Sequence, residues 1–272
     1  MTDVGAWLES SPFLRDLGVR WSGGELVQAA DESHTVAGGV LHGGVVASLA
    51  VVSAQAAMRA EDRATRPSTI SLHVTYARAG RGTSFTAVPT CVRQGRELGF
   101  YAARVGDAEG RTVAHASATL AEGVEGVEGD GALEPAMSLA GDPAEFDAAT
   151  QASPFLAGRG LRVAGVDRGR LEMTLVSVER NLDDDGTIHE GAVLTLIDSA
   201  GATVPWTLHQ PDTIGATVAL HAQILGRLPA GPLTARARVR AHSGRVSWCD
   251  VSVVDPAGNR PCALGMVAYR FA

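Results

Sequence analysis

The stretch that decides the fold is Asn181–Gly201, NLDDDGTIHEGAVLTLIDSAG. It begins as an acidic loop and, after His189, becomes an apolar run in which Val193 and Ile197 lie one helical turn apart. One carboxylate, Asp198, lies inside this run. Because a charge on an apolar helix costs free energy unless it has partners or a function, Asp198 is the first candidate for a catalytic residue.

A second stretch, residues 34–56, repeats this pattern as HTVAGGVLHGGVVASLAVVSAQA. When His42 is aligned with His189, both copies contain a loop, a histidine, a glycine near the helix start and an apolar helix. The copies differ where the chemistry is expected, namely Val51 against Asp198 and Gly43 against Glu190. The two halves therefore predict related structures with unequal sites.

Shorter matches extend the duplication along the chain in the same order. They are SPFL at 11–14 and 153–156, the segments 69–73 and 217–221, and the Gly-Arg pairs at 95–96 and 244–245. Such a series indicates an internal repeat. We predict an N-terminal repeat at 1–122, an acidic, glycine-rich linker at 123–150 and a C-terminal repeat at 151–272.

Each repeat has the same predicted order of elements: a hairpin, a long helix and several strands. The predicted helices are 43–61 and 190–209, and the strands after them are 69–78, 83–94, 98–106 and 111–120, with counterparts at 216–225, 233–242, 246–254 and 261–271. A helix that is apolar nearly all round must be enclosed by other elements. The predicted class is therefore α+β, with each helix wrapped by a curved antiparallel sheet.

Composition limits the classes of function. The chain has 272 residues, 45% of them hydrophobic, and a net charge of −7, which argues against nucleic acid as a partner. Three widely spaced cysteines suggest neither disulfides nor zinc, and the run 183–185 (DDD) is interpreted as a solvated loop rather than a metal site. The N-terminus lacks the apolar segment of a signal peptide, and the helix after residue 43 is followed closely by charges. We expect a cytoplasmic protein with no membrane span and no metal.

The sequence resembles the PaaI-like acyl-CoA thioesterases of the hotdog fold, in which His-Gly-Gly opens the central helix and a catalytic carboxylate follows nine residues after the histidine. Residues 42–44 are His-Gly-Gly, whereas 189–191 are His-Glu-Gly. Nine residues on, the second repeat has Asp198 and the first has Val51. The resemblance implies a double hotdog that hydrolyses acyl-CoA, with coenzyme A as part of the substrate and no other cofactor. It also implies a homodimer of this chain.

Helix geometry predicts how the repeats combine. Nine residues at about 1.5 Å each place Asp198 roughly 13 Å from its own helix start, too far to act there. It can reach the start of a second, antiparallel helix, so we pair Asp198 with Gly43 across a pseudo-twofold axis. The mirrored site would pair Glu190 with Val51, and we predict that it lacks a catalytic carboxylate and is inactive.

Roles follow from the chemistry of a thioester. Backbone N–H groups at the Gly43 helix start stabilise an oxyanion, and Asp198 is either a general base or a nucleophile. The predicted substrate-binding residues are His42, Gly44, His34 and Thr217; His34 and Thr217 are chosen because the resemblance implies contacts there. For His42, a role in positioning the loop stays open. Gln55 is predicted to be a surface residue at a helix end.

The sequence leaves two other functions open. One is a non-catalytic protein that binds acyl thioesters, and the other is a hotdog hydratase or dehydratase. Retention of Asp198 argues against the first, and the absence of an Asp/His pair near the mirrored helix start argues against the second. The sequence does not determine the acyl group.

Overall fold

The computed structural model describes residues 3–36, 38–61, 66–124, 137–208, 214–258 and 260–272. The middle of the predicted linker, 125–136, and the last residue of the predicted helix 190–209 lie outside these ranges.

The first repeat follows the predicted order, with two short helices added before the hairpin. Its elements are α1 (Val4–Ser10), α2 (Pro12–Asp16), β1 (Val19–Ser22), β2 (Glu25–Ala29), β3 (Thr35–Val36), β4 (Val40–Leu41), α3 (Gly43–Ala60), β5 (Pro67–Tyr76), β6 (Ser84–Gln94), β7 (Leu98–Asp107) and β8 (Thr112–Glu122). Gly23 and Gly24 form the turn between β1 and β2 with φ of 62° and 86°, values that favour glycine.

The second repeat has equivalent elements. They are α4 (Ala144–Gln151), α5 (Pro154–Gly158), β9 (Leu161–Asp167), β10 (Arg170–Leu175), α6 (Glu190–Thr203), β11 (Gly215–Ile224), β12 (Leu233–Ser243), β13 (Val246–Asp255) and β14 (Arg260–Phe271). Helix α6 is shorter than predicted because Pro205 lacks an N–H, and the chain continues as a 3-10 turn at Val204–Thr207. Helix α4 begins in the segment predicted as linker, ends one residue beyond it and contacts β9, where the Asp147 carboxylate accepts the Val163 N–H at 3.0 Å.

One twelve-stranded antiparallel sheet runs through both repeats. Its order is β1-β2-β6-β7-β8-β5-β11-β14-β13-β12-β10-β9. The repeats join where β5 pairs with β11, and His73 pairs with His221 at the middle of this register. The pairing is symmetric about these two residues, so the pseudo-twofold axis passes between them. The strands form one continuous sheet, as expected for a double hotdog.

Helices α3 and α6 lie side by side and antiparallel under the sheet. The start of α3 meets Thr195 in the middle of α6, and the start of α6 meets Ser48 in the middle of α3. Residues 191–201 of α6 are all buried. Helix α3 has the length and hydropathy of a membrane span, yet 78% of that stretch is buried inside the fold, which is typical of a core helix.

Candidate active site

Asp198 lies at the N-terminus of the opposite helix, α3. A Cβ built on Gly43, the first residue of α3, would be 2.5 Å from Asp198 Oδ2, so only glycine leaves room for the carboxylate. The Tyr76 hydroxyl donates to the Gly43 carbonyl at 3.0 Å and fixes this end of the helix against β5. The structure thus brings together the two residues that the sequence assigns to one site across the repeats.

The carboxylate of Asp198 is held by two donors. The Thr217 hydroxyl donates to Oδ1 at 2.8 Å, and the Gly44 N–H, which donates to His42 Nδ1 at 2.9 Å, is shared with the carboxylate. Burial raises the pKa of Asp198 from 3.8 to about 6, although both hydrogen bonds lower it. Desolvation exceeds the hydrogen bonding here, so the carboxylate titrates near neutral pH, the range suited to a general base.

His42 caps helix α3 as a neutral imidazole. Its Nδ1 accepts the Gly44 N–H at 2.9 Å, and His189 caps α6 through Gly191 in the same way. Burial and the charge of Arg159 lower the pKa of His42 to about 3. Although its Nδ1 lies 3.5 Å from Asp198 Oδ2, the two do not form an ion pair, because the imidazole is uncharged. His42 therefore orients the helix start.

Gly44 has a packing role. An added Cβ there would lie 2.6 Å from Thr195 Cα, and one at Gly191 would lie 2.7 Å from Ser48 Oγ. These reciprocal contacts let the two helices approach closely near both helix starts. Of the His-Gly-Gly motif, Gly43 makes room for Asp198, whereas Gly44 makes room for the neighbouring helix and bonds the carboxylate through its N–H.

The recurring SPFL segments exchange their phenylalanines between repeats. Phe13 stacks on His189 with ring centroids 4.3 Å apart, and Phe155 packs on His42 at 4.9 Å. Arg159 lies between the two phenylalanines, 4.6 and 4.7 Å from their ring centres, with Nη2 2.7 Å from an Asp16 oxygen. Each repeat therefore supports the capping histidine of the other.

The contacts of His34 favour a structural role over the predicted substrate contact. Its side chain is 5% exposed, its Nδ1 accepts the Asp31 N–H at 3.2 Å and its Nε2 lies 2.8 Å from the Asp16 carbonyl. Its own carbonyl accepts the His42 N–H at 3.1 Å. These bonds connect the loop to the helix start, so His34 positions His42.

The mirrored site contains a hydrogen-bonded carboxylate at its helix start, and position 51 holds a valine as the sequence shows. Glu190, the first residue of α6, accepts hydrogen bonds from the Thr69 N–H at 3.0 Å, from the Thr69 hydroxyl and from Gln55 Nε2 at 2.8 Å. Thr69 is the counterpart of Thr217, so a threonine hydroxyl donates to a carboxylate at both sites. The prediction that Gln55 is a surface residue is wrong, because it is only 3% exposed.

Sequence reasoning missed Arg159, Gln55 and the pair of phenylalanines. Alignment of the repeated SPFL motif places Arg159 opposite Leu17, a charge against an apolar residue. That break in the repeat was a usable signal. In the described residues, no group of three or more His, Cys, Asp or Glu side chains is arranged to hold a metal ion.

Sequence families match both halves of the chain. The family described as acyl-CoA thioesterase N-terminal domain matches residues 30–121, and the thioesterase superfamily matches residues 185–262. Together these segments contain both helix starts, Asp198 and most of the strands that follow. No significant match was found among curated proteins.

Solved structures with similar folds span nearly the whole chain. A hotdog-fold protein of unknown function from Alicyclobacillus acidocaldarius has a TM-score of 0.73 at 16% identity, covering 97% of this chain and 97% of its own. A putative thioesterase II from Thermobifida fusca has a TM-score of 0.73 at 17% identity, covering 96% and 98%. Acyl-CoA thioesterase II from Mycobacterium marinum has a TM-score of 0.71 at 14% identity, covering 97% of this chain and 96% of its own. At these identities the likeness concerns the fold.

Proposed function

The chain belongs to the thioesterase superfamily of hotdog proteins and is a thioester hydrolase, and we propose that it cleaves acyl-CoA at a composite site formed by Asp198 and the start of α3. The observation that carries this proposal is the position of the Asp198 carboxylate. It belongs to one repeat and lies against Gly43 of the other, with Thr217 and the Gly44 N–H as its donors.

The mechanism follows from these groups. The N–H of Gly43 is one of the first-turn donors that have no acceptor within the helix, and with the helix dipole it polarises the thioester carbonyl. Ionised Asp198 takes a proton from a water molecule while the water oxygen forms a bond to the carbonyl carbon. The C–S bond then breaks, and Asp198 returns the proton to the departing thiolate. The products are a carboxylic acid and free coenzyme A.

We assign Asp198 as a general base rather than a nucleophile. A general base works best with a pKa near the working pH, and burial gives Asp198 a pKa of about 6. Labelling of Asp198 during turnover in ¹⁸O-labelled water would demonstrate the nucleophilic mechanism. General-base catalysis leaves the Asp198 carboxylate unlabelled, whereas attack of water on the Asp198 carbonyl carbon of an anhydride intermediate puts ¹⁸O into that side chain, which mass spectrometry of the peptide detects.

The experiment that tests the function is release of free thiol from a panel of acyl-CoAs, with hydration of enoyl-CoA measured in parallel. We expect thiol release without hydration. Hydration without thiol release would favour a hotdog hydratase, and binding of acyl-CoA without either reaction would favour a non-catalytic acyl-thioester-binding protein. The panel also identifies the preferred acyl group.

We further propose that the chain forms a homodimer through the outer face of its sheet. Strands β13 and β14 present Trp248, Leu264 and Met266, which are 45%, 39% and 58% exposed. Large apolar side chains clustered on a sheet face are typical of an interaction surface. Light scattering of the full chain should give the mass of two chains, and Met266→Glu should shift that mass toward one chain.

A further inference from the structure

The mirrored site resembles the Asp198 site with its carboxylate moved from one helix to the other. In the Asp198 site, the middle of α6 supplies the carboxylate and the α3 start supplies a glycine. In the mirrored site, Val51 is buried in the middle of α3, and Glu190 at the α6 start supplies the carboxylate instead. Asp198 accepts a hydrogen bond from the Thr217 hydroxyl, and Glu190 accepts one from the hydroxyl of Thr69, the equivalent residue.

Gln55 adds a group that completes this site. It lies one helical turn beyond Val51 on the same face of α3, and its buried amide reaches across to Glu190 at 2.8 Å. A carboxylate, an amide and a hydroxyl therefore converge from three elements: α6, α3 and β5. Polar side chains that are hydrogen-bonded to one another in this way can hold one water molecule or one substrate atom in place.

A cavity of about 200 Å³ opens onto this cluster. Glu190, Gln55 and His189 form part of its wall, and Arg66 and Arg227 are on its rim with side chains 63% and 58% exposed. Glu190 is only partly buried, and it lines the cavity. The site is therefore accessible to a ligand, and the α6 start provides the same first-turn N–H donors as the α3 start.

We infer that this cavity is a second thioester-hydrolysing site, in which Glu190 acts as the general base and Gln55 and Thr69 hold it in position. This inference rests on the proposed function and extends it to the second repeat interface. Ionised Glu190 takes a proton from water as the water oxygen bonds to the thioester carbonyl carbon. The C–S bond breaks, and the proton passes to the thiolate, giving a carboxylic acid and a thiol.

Electrostatics are consistent with this role. Burial raises the pKa of Glu190 above its usual 4.5, although the Thr69 and Gln55 hydrogen bonds lower it. As at Asp198, desolvation exceeds the hydrogen bonding, so the carboxylate is a stronger base than an exposed glutamate.

Thiol release by four proteins tests the inference: wild type, Asp198→Asn, Glu190→Gln and the double variant. We expect Asp198→Asn to keep activity at least about 10-fold above the double variant, because one base remains. Glu190→Gln should lose a measurable share of the wild-type rate. Glu172→Gln is the matched control, since it makes the same change in a half-buried glutamate that bonds Arg236 on the sheet, and it should keep the full rate.

The outcomes distinguish the two proposals. If Asp198→Asn is as inactive as the double variant and Glu190→Gln is fully active, the second site is refuted and the Asp198 site stands. If Glu190→Gln alone abolishes activity and Asp198→Asn does not, the Asp198 site is refuted and the Glu190 site stands. No thiol release by the wild type from any acyl-CoA would overturn both.

Two further measurements do not depend on the folding of Glu190→Gln. Gln55→Leu leaves Glu190 in place and should reduce the activity that survives in Asp198→Asn. Calorimetric titration of the wild type with S-hexyl-coenzyme A, a thioether that cannot be hydrolysed, should give two sites per chain. A stoichiometry of one site, together with an unchanged rate for Gln55→Leu, would contradict the inference.

Discussion

The carboxylate of Asp198 and the Cα of Gly43 come so close that a single added methyl group at Gly43 would lie 2.5 Å from Oδ2. The two residues are far apart in sequence and belong to different repeats. Their contact exists only because α3 and α6 run antiparallel, so the site depends on correct docking of both halves of the chain.

Gly43→Ala should lower the rate through this contact. The added Cβ must displace the carboxylate and lengthen its 2.8 Å bond to Thr217. A misplacement of about 1 Å costs roughly 10²-fold in rate. Thiol release measured in a Glu190→Gln background checks this, and Gly231→Ala is the control because a Cβ there meets nothing within 4 Å. Equal rates for the two variants would show that the contact is unimportant.

Gly44→Ala should act on stability instead. Its Cβ would lie 2.6 Å from the Thr195 Cα, a backbone atom that cannot move without shifting α6. Overpacking of this kind costs about 1–3 kcal/mol, more than the gain of up to about 1 kcal/mol from replacing glycine in a helix. Urea unfolding measures the difference. An unchanged or increased free energy of unfolding would mean that the helices are not in close contact here.

Thr217→Val should shift the pH dependence of the Asp198 site. The hydroxyl donates to the ionised carboxylate and so lowers its pKa; its loss raises that pKa above about 6. Because the ionised form is the base, the rising limb of kcat/KM should move to higher pH. Thr217→Ser retains the hydroxyl and should keep the original limb. The pH profiles of kcat/KM are recorded in the Glu190→Gln background. If the rising limbs of Thr217→Val and Thr217→Ser coincide, the Thr217 hydroxyl does not set the pKa of the catalytic base.

Asp198→Asn should stabilise the fold at alkaline pH. The native pKa of about 6 exceeds the usual 3.8, so the folded chain holds more protons than the unfolded chain between these values. Stability therefore falls as pH rises through that window, and the cost, of up to about 3 kcal/mol, is present in full above it. An uncharged asparagine avoids this cost, so its Tm advantage should be larger at pH 8 than at pH 4.

Asp185→Asn is the control of opposite sign for that experiment. Burial raises the pKa of Asp185, but bonds from Thr187 and the charges of Arg227 and Arg66 lower it below its usual value overall. Its ionised form thus contributes stability above the usual pKa, and this is lost as pH falls. Asp185→Asn should lower Tm at pH 8. If Asp198→Asn and Asp185→Asn change Tm equally at each pH, the opposite pKa directions assigned to Asp198 and Asp185 are wrong.

Periodicity and internal repetition were sufficient to predict the architecture. The α3 and α6 starts, the order of strands and the pairing of Asp198 with the opposite helix follow from residue spacing, because helix rise fixes how far each side chain can reach. The end of α6 was placed too late, since Pro205 allows a 3-10 turn without the regular helix. Arg159 was missed because its partners, Phe13 and Phe155, come from both repeats.

The mirrored site shows why residue-by-residue alignment was insufficient. Alignment asks whether position 51 holds a carboxylate, and there it finds Val51. The structure shows that Glu190 places its carboxylate against Thr69, the equivalent of Thr217, from the other helix. The position of Gln55 near the end of an apolar pattern predicts a surface residue, whereas the antiparallel partner helix and β5 bury it.

The most direct test of the central claim is thiol release by Glu190→Gln compared with Glu190→Gln, Asp198→Asn, using the acyl-CoA that the wild type hydrolyses fastest. This pair isolates the effect of Asp198, because both proteins lack the Glu190 carboxylate. We predict that kcat falls by about 10²–10⁴-fold on losing the general base, while binding of S-hexyl-coenzyme A is retained. Nearly equal kcat values for the two proteins would contradict the assignment of Asp198 to catalysis.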